Sequence, residues 1–138
     1  MGAFGAGAAH GRLTGGNLAT ICALMGTPYE IETDDCILFL EDIGERPYRV
    51  DRCLSQLRLA GKLENLAGVL LGWFTDCEPE DGAKSLSLDD VFADYFGDLG
   101  VPVCARFPAG HDRPNLTLPL GATVEIDADC GRVLVCGK

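Results

Sequence analysis

Short apolar runs alternate with segments of helical periodicity along this sequence, and that alternation limits the folds open to the chain. Residues 36–40 and 69–74 contain no charged side chain. Such runs are typical of strands that are buried on both faces of a sheet. Between them, the segment from Pro47 to about Gly61 repeats its apolar residues at the i, i+3, i+4, i+7 spacing of an amphipathic helix. The alternation predicts a mixed α/β domain without internal repeats.

The rest of the chain adds two helices, further strands and a terminal hairpin to this prediction. Asn17 and Ser87 each have a side chain that can cap a helix, and Asp90 follows Ser87 by three residues. We therefore expect a mixed sheet with about three helices and a C-terminal hairpin. The additional elements are helices over residues 17–25 and 87–99, a strand over 101–107, an extended segment over 116–120, and a hairpin of 123–128 with 132–136.

The first sixteen residues have the composition of a linker. Six of them are glycine and four are alanine, and they show no periodicity. We therefore expect residues 1–14 to be a linker and residues 15–138 to form the domain. A linker in this place indicates that the chain is the rear part of a longer protein, and the alternative is a flexible native terminus.

The net charge excludes several classes of partner. The chain has 21 acidic and 11 basic residues, which gives a formal net charge of −10 at pH 7. Nucleic acids and anionic membrane surfaces repel such a protein, so we expect neither as a partner. No apolar run approaches the roughly 18 residues that a membrane-spanning helix needs.

Seven cysteines are spread along the chain without the spacing of a metal site or a disulfide framework. Their number is odd, and no two are separated by only two residues. The N-terminus has no basic segment followed by an apolar core, so we expect no signal peptide. We predict a cytoplasmic protein with reduced thiols at Cys22, Cys36, Cys53, Cys77, Cys104, Cys130 and Cys136.

Two carboxylates and a histidine are the strongest candidates for chemistry. Glu41 and Asp42 directly follow the first apolar run, and sites in α/β sheets form at the carboxyl ends of strands. His111 lies in a loop rich in glycine and proline, and imidazole suits proton transfer near pH 7. Each has a structural alternative. Either carboxylate can cap the next turn or pair with one of the three arginines over residues 46–52, and His111 can be an exposed loop residue.

A base and an orienting carboxylate still need a nucleophile to form a nucleophilic site. The three serines, at positions 55, 85 and 87, lie outside any G-x-S-x-G elbow. We therefore expect the nucleophile on a domain that precedes this chain.

Two weaker candidates lie elsewhere in the sequence. Backbone N–H groups at Gly16 and Asn17, at the start of the first predicted helix, are candidates for contacting an anionic group of a substrate. Residues 127–131 contain half the pattern of a calcium loop, for which a hairpin turn is the simpler interpretation.

Six short motifs occur in order along the chain from about Arg12 onward. They are Gly15-Gly16-Asn17-Leu18, Gly26-Thr27-Pro28-Tyr29, Ile37-Leu38-Phe39-Leu40-Glu41-Asp42, Tyr48-x-x-Asp51-Arg52-x-Leu54-x-Gln56-Leu57, Gly110-His111 and Leu118-Pro119-Leu120-Gly121. Together they resemble the C-terminal domain of serine LD-carboxypeptidases, a family that includes the microcin-immunity peptidases.

The resemblance implies a fold, a reaction and roles for two residues. Members of this family combine an N-terminal domain that carries the nucleophilic serine with a C-terminal domain of swivelling β/β/α type. By resemblance, Glu41 is the carboxylate and His111 the base of a Ser–His–Glu triad, and the N-terminal domain is the expected partner. The family cleaves the amide between an L-centre and a terminal D-amino acid, as in the release of D-alanine from murein tetrapeptide during cell-wall recycling. It needs no cofactor or metal.

Two functions remain open at this point. The first is the C-terminal catalytic domain of an LD-carboxypeptidase, which is inactive alone and acts on murein peptides together with its nucleophile domain. The second is a non-catalytic α/β module that binds a peptide or a protein partner. A homodimer is compatible with both.

Overall fold

The computed structural model describes residues 2–80 and 84–136 of the chain, which contain seven strands and three helices. The helices are α1 (Leu18–Leu24), α2 (Pro47–Leu59) and α3 (Leu88–Phe96). No helix in this part has the length and apolar character needed to cross a membrane. The strands are β1 (Gly2–Gly5), β2 (Ala8–Asn17), β3 (Cys36–Ile43), β4 (Gly68–Thr75), β5 (Val103–Ala105), β6 (Thr123–Asp127) and β7 (Arg132–Val135).

The strands form one mixed sheet in the order β1-β5-β4-β3-β2-β6-β7. The four central strands, β2 to β5, run parallel, and one helix connects each to the next along the chain. The outer strands pair antiparallel, with β6 and β7 as a hairpin. The predicted α/β class, the three helices and the C-terminal hairpin are confirmed. Because β2 to β5 are parallel, their carboxyl ends meet along one edge of the sheet.

The core consists of two apolar layers, one on each face of the sheet. All three helices pack on one face, where Leu38 and Leu40 of β3 lie with Leu54 of α2. On the opposite face, Ile37 and Phe39 pack with residues of β6 and of the loop after β5. Successive side chains of a strand point to opposite faces, so a strand covered on both sides is apolar at every position. Each fully buried leucine or isoleucine contributes about 1.5–3 kcal/mol.

Residues 1–14 are not a linker over their described part, which corrects the prediction from composition. Residues 2–5 form β1, and residues 8–17 form β2 between β3 and β6. Small residues let β2 approach its neighbour closely: Gly15 has a φ of +129°, and a Cβ atom there would lie 1.9 Å from the carbonyl oxygen of Phe39. Leu13, in the same strand, is fully buried. Glycine therefore serves close strand packing here, which composition does not distinguish from flexibility.

Helix starts agree closely with the sequence signals, whereas one strand is shorter than predicted. Asn17 caps α1 by accepting a hydrogen bond from the N–H of Thr20, and Ser87 forms a capping box with Asp90 at α3. The strand predicted over residues 101–107 contracts to β5, since Arg106 has a left-handed φ of +59°. Residues 116–120 form no strand and belong to the long loop between β5 and β6.

Candidate active site

Glu41 lies near the carboxyl end of β3, in the middle of the sheet. Strands β2 and β4 flank β3, and Glu41 is paired in register with Asn17, the last residue of β2. Only 5% of its surface is exposed. A carboxylate in such a position is held rigidly, and its burial is costly unless a partner binds it.

The partner of Glu41 is His111, which follows it by 70 positions in the chain. Nδ1 of His111 lies 2.7 Å from Oε2 of Glu41. An ionised carboxylate can only accept hydrogen bonds, so the imidazole donates its Nδ1–H. The side chain of His111 is half-exposed, and the carboxylate is buried beneath it. The predicted proximity of the two residues is confirmed, and His111 is more than a free surface histidine.

The backbone before His111 comes so close to Glu41 that only glycine fits. Gly110 has a φ of +124°, and a Cβ atom there would lie 2.8 Å from Oε2 of Glu41. The N–H of Gly110 donates to Oδ1 of Asn115 at 3.1 Å, which closes this part of the loop on itself. Sequence reasoning identified the Gly110-His111 pair but missed Asn115, since nothing in the local pattern marks it as a loop anchor.

The electrostatics of the pair favour a protonated imidazole. The hydrogen bond to Glu41 and the charge of that carboxylate raise the pKa of His111 above its ordinary value of 6.5. Partial burial opposes the rise in the pKa of His111, and the charge of Asp42 adds to it. With Nδ1–H held by Glu41, the neutral ring has its free electron pair on Nε2, where it can take a proton. The arrangement can therefore act as an oriented general base whose charged form the carboxylate stabilises.

Asp42, the second candidate carboxylate, has a structural role. It is buried and accepts three hydrogen bonds of 2.9 Å, from Nδ2 of Asn17 and from the N–H groups of Ala19 and Ile43. These bonds join the start of α1 to the end of β3. The structural alternative for the two carboxylates was a cap on the next turn or a pair with an arginine, whereas Asp42 binds the start of α1, which precedes the strand.

The predicted substrate contacts, Gly16 and Asn17, lie beside Glu41 at the carboxyl end of β2. The side chain of Asn17 is engaged by the protein itself, since Oδ1 accepts from the N–H and the hydroxyl of Thr20 and Nδ2 donates to Asp42. Gly16 has a φ of +147°, and open space lies where a Cβ atom would point. A ligand group can therefore approach the backbone of Gly16 one residue before the position paired with Glu41.

The remaining sequence candidates have structural explanations. Oδ1 of Asp127 accepts from the N–H groups of Asp129 and Cys130, and Oδ1 of Asp129 accepts from the N–H of Gly7, so residues 127–131 form a hairpin turn. Within residues 2–80 and 84–136, no three His, Cys, Asp or Glu side chains are grouped as metal ligands would be. All seven cysteines are free thiols, and four of them are buried.

Comparison with known proteins shows the family of this chain. Residues 10–126 match the family model described as the LD-carboxypeptidase C-terminal domain. The chain belongs to this family. A Bacillus subtilis member named "Probable murein peptide carboxypeptidase" is 46% identical over 116 residues, which cover 84% of this chain and 36% of that protein.

Solved structures of family members have the same fold. A muramoyltetrapeptide carboxypeptidase from Oxalobacter formigenes matches with a TM-score of 0.81 at 32% identity, over 91% of this chain and 44% of that one. The microcin C7 self-immunity protein MccF matches with a TM-score of 0.85 at 29% identity, over 99% of this chain and 41% of that one. The chain thus spans less than half the length of these relatives. The resemblance inferred from six short motifs is confirmed.

Proposed function

We propose that this chain is the C-terminal catalytic half of a serine LD-carboxypeptidase that hydrolyses murein peptides, with Glu41 and His111 as two members of a Ser–His–Glu triad. The observation that carries the proposal is the 2.7 Å contact between a buried carboxylate and a half-exposed imidazole at the carboxyl edge of a parallel sheet. The substrate class is supported by relatives named as murein peptide and murein tetrapeptide carboxypeptidases.

The serine of the triad would come from an N-terminal domain. The chain spans less than half the length of its relatives, and its own serines have other positions: Ser55 lies within α2, and Ser87 caps α3. Leu116 and Leu120, on the loop after His111, are about half-exposed, at 49% and 55%. Exposed apolar side chains suit a surface that another domain covers. Glu41 is buried and His111 is half-exposed, so His111 is the member of the pair that can meet the incoming serine.

In this proposal, His111 acts through Nε2 while its Nδ1–H stays bound to Glu41. Nε2 takes the proton of the serine hydroxyl as the serine oxygen bonds to the carbonyl carbon of the L,D-amide. The C–N bond then breaks, and His111 gives the proton to the amine of the departing D-amino acid. Water repeats both steps on the acyl-enzyme, which releases the shortened peptide and the free serine. Gly16 is the proposed backbone contact for the substrate, and Asn17 next to it fixes the start of α1.

A non-catalytic binding module is the weaker proposal, because binding alone gives no reason to orient an imidazole with a buried carboxylate. The compartment we propose is the cytoplasm, since all seven cysteines are free thiols and reducing compartments preserve thiols.

The test joins this chain to the N-terminal domain of the Bacillus subtilis relative and measures D-alanine released from an L,D-tetrapeptide. In a parallel assay, the joined protein is given aspartyl sulfamoyl adenosine, which MccF binds in a solved structure, for comparison with the tetrapeptide. We expect the joined protein to release D-alanine and the 138-residue chain alone to release none. In this proposal the serine and the oxyanion hole both belong to the N-terminal domain, and one oxyanion donor alone is worth about 3–4 kcal/mol. Release by the isolated chain that survives His111→Ala would refute the proposal.

A further inference from the structure

Strand β4 is irregular directly opposite Glu41. Residues 40 and 42 of β3 pair with residues 71 and 74 of β4, so two residues, Gly72 and Trp73, face the single residue Glu41. This two-to-one arrangement is a β-bulge, which bends a strand and changes the direction of its side chains. The bulge thus acts on the backbone next to the candidate catalytic carboxylate.

From this bulge, Trp73 binds the loop of residues 107–116, the His111 loop, on both sides of the histidine. The backbone N–H of Trp73 donates to the carbonyl oxygen of Ala109 at 2.8 Å. Its indole Nε1–H donates to the carbonyl oxygen of Pro114 at 2.9 Å. Ala109 precedes His111 by two residues and Pro114 follows it by three, so one residue holds both flanks of the histidine.

Gly72, the other residue of the bulge, lets the His111 loop come this close. A Cβ atom at Gly72 would lie 2.4 Å from the carbonyl oxygen of Ala109 and 2.8 Å from the ring of Phe39. Real Cβ atoms do not approach so closely, so a larger residue would push the loop away from β4. The two residues of the bulge therefore keep the His111 loop close to β4 in different ways. Gly72 has no side chain to obstruct the loop, and Trp73 donates two hydrogen bonds to it.

We propose that Trp73 is a positioning residue that holds the His111 loop in register with the strand bearing Glu41. Trp73 lies on β4, which pairs with the strand that bears Glu41, and it binds the loop at both flanks of His111. Trp73 thus links the loop that carries one partner of the 2.7 Å contact to the sheet that carries the other. The imidazole is half-exposed, so its position depends on the backbone of its loop as well as on the hydrogen bond to Glu41. The consequence for catalysis rests on the proposed function, whereas the positioning of the ring does not.

The first test is Trp73→Phe in the 138-residue chain, which removes the indole N–H and keeps an aromatic ring. The readout is the pKa of His111 from an NMR titration, with the signals of the other histidine assigned through His10→Gln. Tyr95→Phe is the matched control, because it removes one aromatic donor, to Asp51, on the helix-covered face of the sheet. We expect Trp73→Phe to lower the pKa of His111 toward its ordinary value and Tyr95→Phe to leave it unchanged.

A second variant removes the same N–H with the shape of the ring preserved. Trp73 is the single tryptophan of the chain, so a tryptophan auxotroph supplied with 3-benzothienylalanine replaces the indole N–H by sulfur at this position alone. If Trp73→Phe fails to fold, this second variant tests the positioning role of Trp73 in its place. A pKa of His111 equal to that of the parent in a folded variant would overturn the proposal.

Kinetics of the joined two-domain protein give the catalytic readout. We expect Trp73→Phe to lower kcat about tenfold or more with KM unchanged, since small displacements of a catalytic group cost up to about 100-fold. Lower kcat together with an unchanged pKa of His111 would also overturn positioning by Trp73. If His111→Ala leaves activity intact, the proposed function fails, and the titration still decides the positioning role.

Discussion

Replacing Asp42 with asparagine should destabilise the fold far more than the equivalent change in its neighbour, Glu41→Gln. In the native protein, Oδ1 of Asp42 accepts from Asn17 and from the N–H of Ile43, and Oδ2 accepts from the N–H of Ala19. Asparagine has one acceptor oxygen, which can keep the two donors at Oδ1. Its amide NH₂ then faces the N–H of Ala19, and that bond is lost.

The magnitude follows from these contacts. A hydrogen bond to a charged group contributes about 1.5–3 kcal/mol, and the two remaining bonds weaken because their acceptor is now neutral. We expect the free energy of unfolding to fall by about 2–3 kcal/mol, which lowers Tm by about 6–12 °C in a domain of this size. At position 41, the glutamine oxygen still accepts the Nδ1–H of His111, so Glu41→Gln should cost less than about 1 kcal/mol.

The assay is urea denaturation followed by circular dichroism at pH 8, with thermal melts in parallel. The slope of the unfolding free energy against urea should be the same for parent and variants, because the exposed surface does not change. If Asp42→Asn falls within about 0.5 kcal/mol of the parent, or if Glu41→Gln is equally destabilised, the assignment of separate tasks to the two carboxylates is wrong.

Three further predictions concern the pair, its loop and the thiols. An NMR titration should give His111 a pKa above 6.5, and this pKa should fall in Glu41→Gln. Because the pKa of His111 is raised in the folded state, the pair stabilises the fold fully below about pH 6.5. The difference in Tm between parent and variant should therefore shrink as pH rises through the raised pKa. Gly110→Ala should cost about 1–3 kcal/mol in a denaturation assay and lower the pKa of His111, and unchanged values would show that the loop accommodates the methyl group. Thiol labelling of the native protein should modify Cys130 and Cys136 first and reach all seven cysteines only on unfolding, and a native disulfide would contradict this.

The parts of the fold that could be predicted are those in which burial leaves a local pattern. Residues 36–40 read as a strand because both faces of β3 are covered, and Ser87 with Asp90 marked the start of α3 through a contact within four residues. Strand β2 was missed for the opposite reason. Its glycine and alanine content serves close approach to β3, and that requirement exists only once β3 lies alongside.

The candidate site, like the fold, could be predicted only in part from the sequence. Glu41 was predictable as a carboxylate at the end of a buried strand. The different role of Asp42 was not, because it depends on a hydrogen bond from the N–H of Ala19 in α1, 23 positions away in the chain. The pairing of Glu41 with His111 was expected from resemblance to a family. Spacing alone does not predict a contact across 70 positions, since it depends on the path of a loop. The anchoring of that loop by Trp73 is a tertiary contact with no local signature.

The most direct test of the account is the effect of His111→Ala on kcat/KM for D-alanine release by the joined two-domain protein. His10→Ala is the control, since His10 is an exposed histidine on β2. If His111 is the base of a triad whose serine lies on the other domain, kcat/KM should fall by about 10⁴-fold or more in His111→Ala and stay unchanged in His10→Ala. A His111→Ala enzyme that keeps a tenth or more of the parent activity would contradict the account.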